Sequence, residues 1–296
     1  LHITGANPVA STLNDSSINV GGTTLTISHT TSGSGDLNIN TAQTFRKALR
    51  WQPTETQQVW AGNTSYTPGS SDHLSISFWH RAHDVSGTQR YISQAGPTST
   101  TVAYYIYINE DDLVILLFEG PLGRTHKYSS ALQAGKWEHF TIYIDKTSVQ
   151  TAPTVYKNGV QLSAPTTTGT GTGALRDIAK LYIGDVPLAT HLYETQTDLQ
   201  DFVVWDTQLN QEDSRILYNS GSWYDLHFHP SASSIVDWWG LGEESNVGQA
   251  SGSALSTGTA VTTLEPILGS HTLTLNSNTD VIVTDGISEI LKQRHL

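Results

Sequence analysis

The side chains able to do chemistry in this chain are acids, histidines and aromatic rings, because its 296 residues include no cysteine. Retaining glycoside hydrolysis needs two carboxyl groups about 5 Å apart, one to protonate the leaving oxygen and one to attack. Glu119, Glu138 and Asp145 border apolar runs, but they stand apart, on separate strands or at strand ends. No Gly-x-Ser-x-Gly segment is present, so a serine hydrolase has no elbow on which to present its nucleophile. Asp225, His227 and His229 alternate and would share one face of a strand, and His80 and His83 are also near neighbours. Neither set has the His-Glu-x-x-His spacing of a zinc site. With 12 histidines in the chain, surface or hydrogen-bonded imidazoles are the plainer reading. The acidic run Asn109-Glu110-Asp111-Asp112 reads as a solvated hairpin turn, since Asn and Asp favour turns for backbone reasons.

The elements that must position these groups are strands. In Gly135 to Leu162, Phe140, Ile142 and Ile144 alternate with His139, Thr141 and Tyr143, the period of a strand with one face on a core. Asn158-Gly159 between apolar residues signals a tight hairpin, because both turn positions need positive φ. Leu74, Ile76 and Phe78 alternate with Ser75, Ser77 and Trp79 in the same way. Tyr91 to Gln94, Tyr104 to Ile108, Leu113 to Phe118, Leu181 to Gly184 and Leu199 to Asp206 read as further strands, and Thr166 to Gly173 as a flexible loop. A short helix follows Asn210, which caps it, with Asp213 near its positive end and Gly221 terminating it. The expected core between two sheets includes Phe78, Phe140, Ile142 and Val204.

Composition bounds the function. The net charge is −12, from 15 basic and 27 acidic residues without a Lys/Arg cluster, which argues against nucleic acid or an anionic membrane as partner. The longest apolar run, Leu113 to Phe118, is far short of the roughly 20 residues of a spanning helix. Disulfide and thiolate chemistry are excluded. The chain begins at Leu1 and has no methionine, as a processed product or a truncated sequence would. Two sequons, at Asn14 and Asn63, are expected by chance in so Asn/Ser/Thr-rich a chain.

Several segments together resemble laminin-G-like and pentraxin modules of the concanavalin A-like jelly-roll group. They are the Lys47-Ala48-Leu49 strand, Ile76-Ser77-Phe78-Trp79, the Gly135-x-Trp137-x-His139 strand with its Tyr156-x-x-Gly159 hairpin, Leu181-x-Ile183-Gly184, and Val204-Trp205-Asp206 leading to the Leu209-Asn210-x-Glu212 helix start. The resemblance implies an all-β, antiparallel jelly-roll sandwich over 44–221. It leaves an N-terminal arm at 1–43 and a β-rich C-terminal extension at 222–296, which ends in a short amphipathic helix carrying Ile287, Ile290 and Leu291. Hydrolases of the group carry Glu-x-Asp-x-x-Glu on one strand, and that triplet is missing, so the expectation is a non-enzyme. No cofactor is expected. Calcium binding by the pentraxin route retains one oxygen donor here, Asp185. In a jelly roll, ligand aromatics sit on the outward face of the concave sheet; Trp79, Tyr105, Tyr107, His139 and Tyr143 are out of phase with the core and are the candidate ligand residues. They would equally serve as a second packed layer. The Trp238-Trp239 segment is similar to ones near such modules in phage structural proteins. The resulting expectation is a structural or adhesion module of a virion, a capsid decoration or tail appendage on the particle surface that assembles with itself and other virion proteins. The alternative is an extracellular, lectin-like carbohydrate-binding domain.

Overall fold

A computed structural model describes residues 17–20, 23–26, 44–45, 48–51, 60–63, 65–66, 69–86, 90–96, 102–178, 180–184, 197–241, 263–275, 282–283 and 288–289. The chain divides into two units, Leu1–Thr44 with Ser288–Leu296, and Phe45–Ile287. In the first, β1 (Ser17–Val20) and β2 (Thr23–Thr26) form an antiparallel hairpin. The short strand β3 (Thr44–Phe45) follows.

The second unit is a sandwich. Its strands are β4 (Ala48–Trp51), β5 (Trp60–Asn63), β6 (His73–Ala82), β7 (Arg90–Ala95), β8 (Tyr104–Asn109), β9 (Asp112–Glu119) and β10 (Leu122–Tyr128). There follow β11 (Glu138–Asp145), β12 (Thr154–Lys157), β13 (Val160–Gln161), β14 (Thr166–Gly169), β15 (Leu181–Gly184) and β16 (Thr197–Trp205). After the helix α1 (Gln211–Tyr218) come β17 (Ile235–Trp239), β18 (Thr263–Leu264), β19 (Leu273–Leu275) and β20 (Ile282–Val283), while β21 (Ser288–Glu289) belongs to the first unit.

One sheet has nine strands in the order β14-β10-β9-β8-β7-β15-β5-β19-β18. The other has eight, β13-β12-β11-β6-β16-β4-β20 with β17 also paired to β16. Phe78, Phe140, Ile142 and Val204 lie in the apolar core together with Ile106, Ile115 and Leu117 from the nine-stranded sheet. Period-2 alternation explains their common face, and Phe78 stacks between Phe140 and Phe202. The hairpin at Asn158 and Gly159 has φ of 52° and 75°, as an Asn-Gly turn requires. Asn210 caps α1 in a capping box with Asp213, and the helix ends on left-handed Asn219 rather than at Gly221. Among the described residues no helix is long and apolar enough to cross a membrane.

Three expectations give way. Thr166–Gly169 is an edge strand on β10, not a loop: every one of its residues is exposed, so it carries no alternation to read. The sandwich does not close at 221, because β17, β19 and β20 pair with β16, β5 and β4 and add strands to both sheets. Where the terminal helix was expected, Ser288–Glu289 is a strand paired with β3; Ile287, Ile290 and Leu291 lie outside the described residues.

Candidate functional site

The register of the nine-stranded sheet assembles a row across six strands: Tyr182 of β15, Gln94 of β7, Tyr105 of β8, Leu116 of β9, Thr125 of β10 and Thr168 of β14. Directly paired residues in antiparallel strands point to one side, and Tyr104, Ile106 and Ile108 already take the core side of β8. Tyr182, Tyr105, Leu116, Thr125 and Thr168 of this row therefore face outward. Tyr107, Val114 and Lys127 form a second row beside it. Phe118 meets Tyr105 edge-on, with ring centroids 5.8 Å apart at 85°. Tyr105 and Tyr182 are largely covered, while Tyr107, Leu116 and Phe118 are half-buried. Burial pushes the Tyr182 phenol above its ordinary pKa. Lys127 is ion-paired with Asp112 at the edge of this strip, which raises the pKa of its ammonium.

Such a strip offers ring faces and edges for C–H contacts, with phenol and threonine hydroxyls to bond a polyol. Nothing in it resembles an acid pair. Glu138 and Asp145 occupy opposite ends of β11, seven residues or about 23 Å apart. Glu138 is bound by Lys157 at 2.6 Å and Asp145 by Thr147 Oγ1 at 2.6 Å.

The five aromatic candidates thus separate into three places. Tyr105 and Tyr107 share the strip just described. Trp79 and His139 are paired on β6 and β11 of the other sheet, their rings 5.0 Å apart and edge-to-face. Both are buried on the side away from the inter-sheet core, beneath α1, whose Tyr218 ring lies 5.8 Å from Trp79. Burial drives the His139 pKa down to about 3. Tyr143 sits at the far end of β11, half-buried, with its hydroxyl 2.9 Å from His73 Nδ1. Sequence phase identified outward-facing residues without saying which sheet they belonged to. Tyr182 and Phe118 went unnoticed, although each lies in a recognisable strand and only cross-strand register joins them to Tyr105.

Asp225, His227 and His229 do not form a strand face. Asp225 caps a 3-10 turn, Leu226–Phe228, through its Oδ1, which accepts from His227 N. His227 is exposed, whereas His229 turns inward against Trp205, with ring centroids 5.0 Å apart. His80 is buried beside Phe140 and His83 binds Asp198 at 2.8 Å. Among the described residues no group of three or more His, Asp or Glu is placed to hold a metal ion. Asp185 lies outside them. The sequon residue Asn63 donates its side-chain amide to Thr272 O at 2.8 Å, which commits it to the fold.

A buried hub had no signal in sequence spacing. Asp198 accepts from Arg50 Nε at 2.7 Å and Arg81 Nε at 2.8 Å, besides its contact with His83. Burial pushes its carboxyl up, but the hydrogen bonds from Arg50, His83 and Arg81 outweigh that and hold it below the usual range.

Comparison with solved structures finds a candidate carbohydrate-binding protein from Bacteroides ovatus at TM-score 0.55 and 12% identity, covering 91% of this chain and 70% of that one. A SAP-like pentraxin from Limulus polyphemus matches at TM-score 0.42 and 12% identity, over 58% of this chain and 82% of that one. The binding domain of botulinum neurotoxin serotype G matches at TM-score 0.44 and 14% identity; 68% of this chain is covered, and about half, 49%, of the toxin domain. At 12% identity the likeness to the Bacteroides protein shows the fold alone. None of the curated proteins matches. Residues 53–213, more than half of the chain, match the Laminin_G_3 family, and with the two-sheet sandwich seen here the chain belongs to the concanavalin A-like lectin/glucanases superfamily.

Proposed function

We propose that this protein is a non-catalytic adhesion module that binds glycan across the outward strip of the nine-stranded sheet. The observation that carries the reading is the register that lines up Tyr182, Tyr105 and Leu116, with Tyr107 and Phe118 beside them, on the face opposite the core. Tyr107, Leu116 and Phe118 are the half-buried members of this face, with Tyr105 and Tyr182 packed beneath or beside them, and such a flat outward face suits a length of polysaccharide rather than an enclosed small molecule. The buried acids support it too, since Glu138, Asp198 and Asp237 are each held by basic partners. Extracellular or surface display fits this role. Display on a virus particle is a second reading, favoured by the division of the chain into two units, 1–44 with 288–296 and 45–287.

A glycan array with the full chain tests the proposal. Binding to at least one polysaccharide is expected, weakened tenfold or more by Tyr107→Ala, unchanged by Tyr143→Ala and unchanged by a calcium chelator. Absence of any glycan ligand, or release of reducing ends from a bound one, overturns it.

A further inference from the structure

The eight-stranded sheet carries a second layer on its outward face, made of α1 and the turns that follow it. Trp205, Val203 and Trp238 from the sheet pack there with Leu209, Leu217 and Leu226, separately from the inter-sheet core. Several polar atoms in this interface are satisfied, among them Trp205 Nε1, which donates to Ser77 Oγ at 3.0 Å, but others are not. His139 Nδ1 and Thr141 Oγ1 on β11, Ser214 Oγ on α1 and His229 Nε2 are all buried without a hydrogen-bond partner. His139 borders a crevice with Trp79, Asp201, Trp223 and Tyr224, and His229 is wedged against Trp205 with its Nδ1 accepting from Ser231 N at 3.1 Å.

Two imidazoles are thus enclosed in one interface, each with a buried ring nitrogen that has no hydrogen-bond partner. Among the charged groups around them, Asp213 lies at ion-pair distance from His229 and favours its proton, but burial opposes that proton more strongly. On β16, Asp201 is engaged by Trp238 Nε1 at 2.9 Å. On α1, Asp213 Oδ1 is 3.9 Å from His229 Nε2, beyond hydrogen-bond reach, and its other oxygen accepts from Asn210 N. Glu212 and Arg215 of α1 are exposed. Asp225 is taken by His227 at 2.8 Å, and Arg81, one step beyond Trp79 on β6, is bound to Asp198. Tyr156 of β12 also faces Asp213.

We infer that this layer, from Gln211 to His229, is an acid-operated cover that loosens from the eight-stranded sheet when His139 and His229 take up protons, uncovering Trp79, Trp205 and Trp223. Burial lowers the pKa of both rings, with Asp213 offsetting part of the effect at His229. A histidine whose closed-state pKa lies below the open-state value of about 6.5 favours the closed form above that pH. The preference is lost progressively as pH falls from about 6.5 towards the closed-state value. At pH 5.5 an imidazole that stays neutral when closed multiplies the opening constant by about 10. The cover lies on the sheet away from the tyrosine strip, so it stands whether or not glycan binds there.

Hydrogen exchange on the full chain, corrected for the intrinsic effect of pH, reads this directly. Between pH 7.5 and 5.5 the amides of 211–229 are expected to lose protection about tenfold or more, while those of Ile76 and Ile142 keep theirs. His139→Gln and His229→Gln, each alone, leave the smaller step of the remaining ring, and His227→Gln leaves the full step. Unchanged protection over 211–229 overturns the inference. So does a loss shared equally by Ile76 and Ile142, or a full step that persists in both single variants.

Discussion

His271 Nδ1 lies 2.7 Å from Asp237 Oδ2, while Asp237 Oδ1 accepts the backbone N–H of Ser270 and of His271 at 2.9 and 3.0 Å. One buried carboxylate on β17 therefore fastens the turn that precedes β19, and through it the strand that extends the nine-stranded sheet beside β5. Trp239 Nε1 adds a bond to His271 O at 2.9 Å.

The approach of Gly269 to this carboxylate leaves no room for a side chain. A Cβ there would fall 2.1 Å from Asp237 Oδ1 and 2.4 Å from Val236 O, and φ is +106°. Gly269→Ala is expected to cost about 2 kcal/mol or more, read as a lower denaturant midpoint with an unchanged slope.

Truncation at residue 221 should abolish folding. It removes Trp239, Leu241, Leu264 and Leu273 from the inter-sheet core and the β17, β19 and β20 partners of both sheets. The 45–221 fragment is expected to lack a cooperative melting transition, whereas 45–287 keeps one.

Within the core, Phe78→Ala should cost about 3–5 kcal/mol, the range for deleting a fully buried aromatic ring. Ile142→Asp should not fold at all, because its carboxylate would be buried without a partner. Circular dichroism of the two variants checks both. A cooperatively melting Ile142→Asp protein would mean the strand faces are misassigned.

Asp198→Asn should cost about 3 kcal/mol, near the low end for breaking a buried ion pair, because Arg50 and Arg81 are partly exposed. Since the carboxyl pKa is lowered in the folded state, its contribution is complete above the unfolded value of about 3.9. It is lost as pH falls below that value through the folded one. The stability gap between wild type and Asp198→Asn is therefore expected to narrow below pH 4 and stay constant from pH 5 upward, as urea titrations at each pH would show.

Local signals were legible in the amino-acid order. Leu74, Ile76 and Phe78, and Phe140, Ile142 and Ile144, reveal their strands and core face because a strand repeats every two residues. Asn158-Gly159 and Asn210 declare a turn and a cap through their own backbone and side-chain chemistry. Pairing over long distances decided the rest. Arg50 meets Asp198 across 148 positions, and no spacing rule reaches that far. Trp79 and Tyr105 have the same outward phase, yet one lies under a helix and the other packs against Phe118 on the opposite sheet, because phase assigns a side of a strand and only the neighbours determine what lies on that side. Thr166–Gly169 and the strands after 262 are short, and β14 is exposed throughout; backbone pairing of β14 with β10, of β19 with β5 and of β20 with β4 makes these three strands, and those partners exist only once the sandwich has formed.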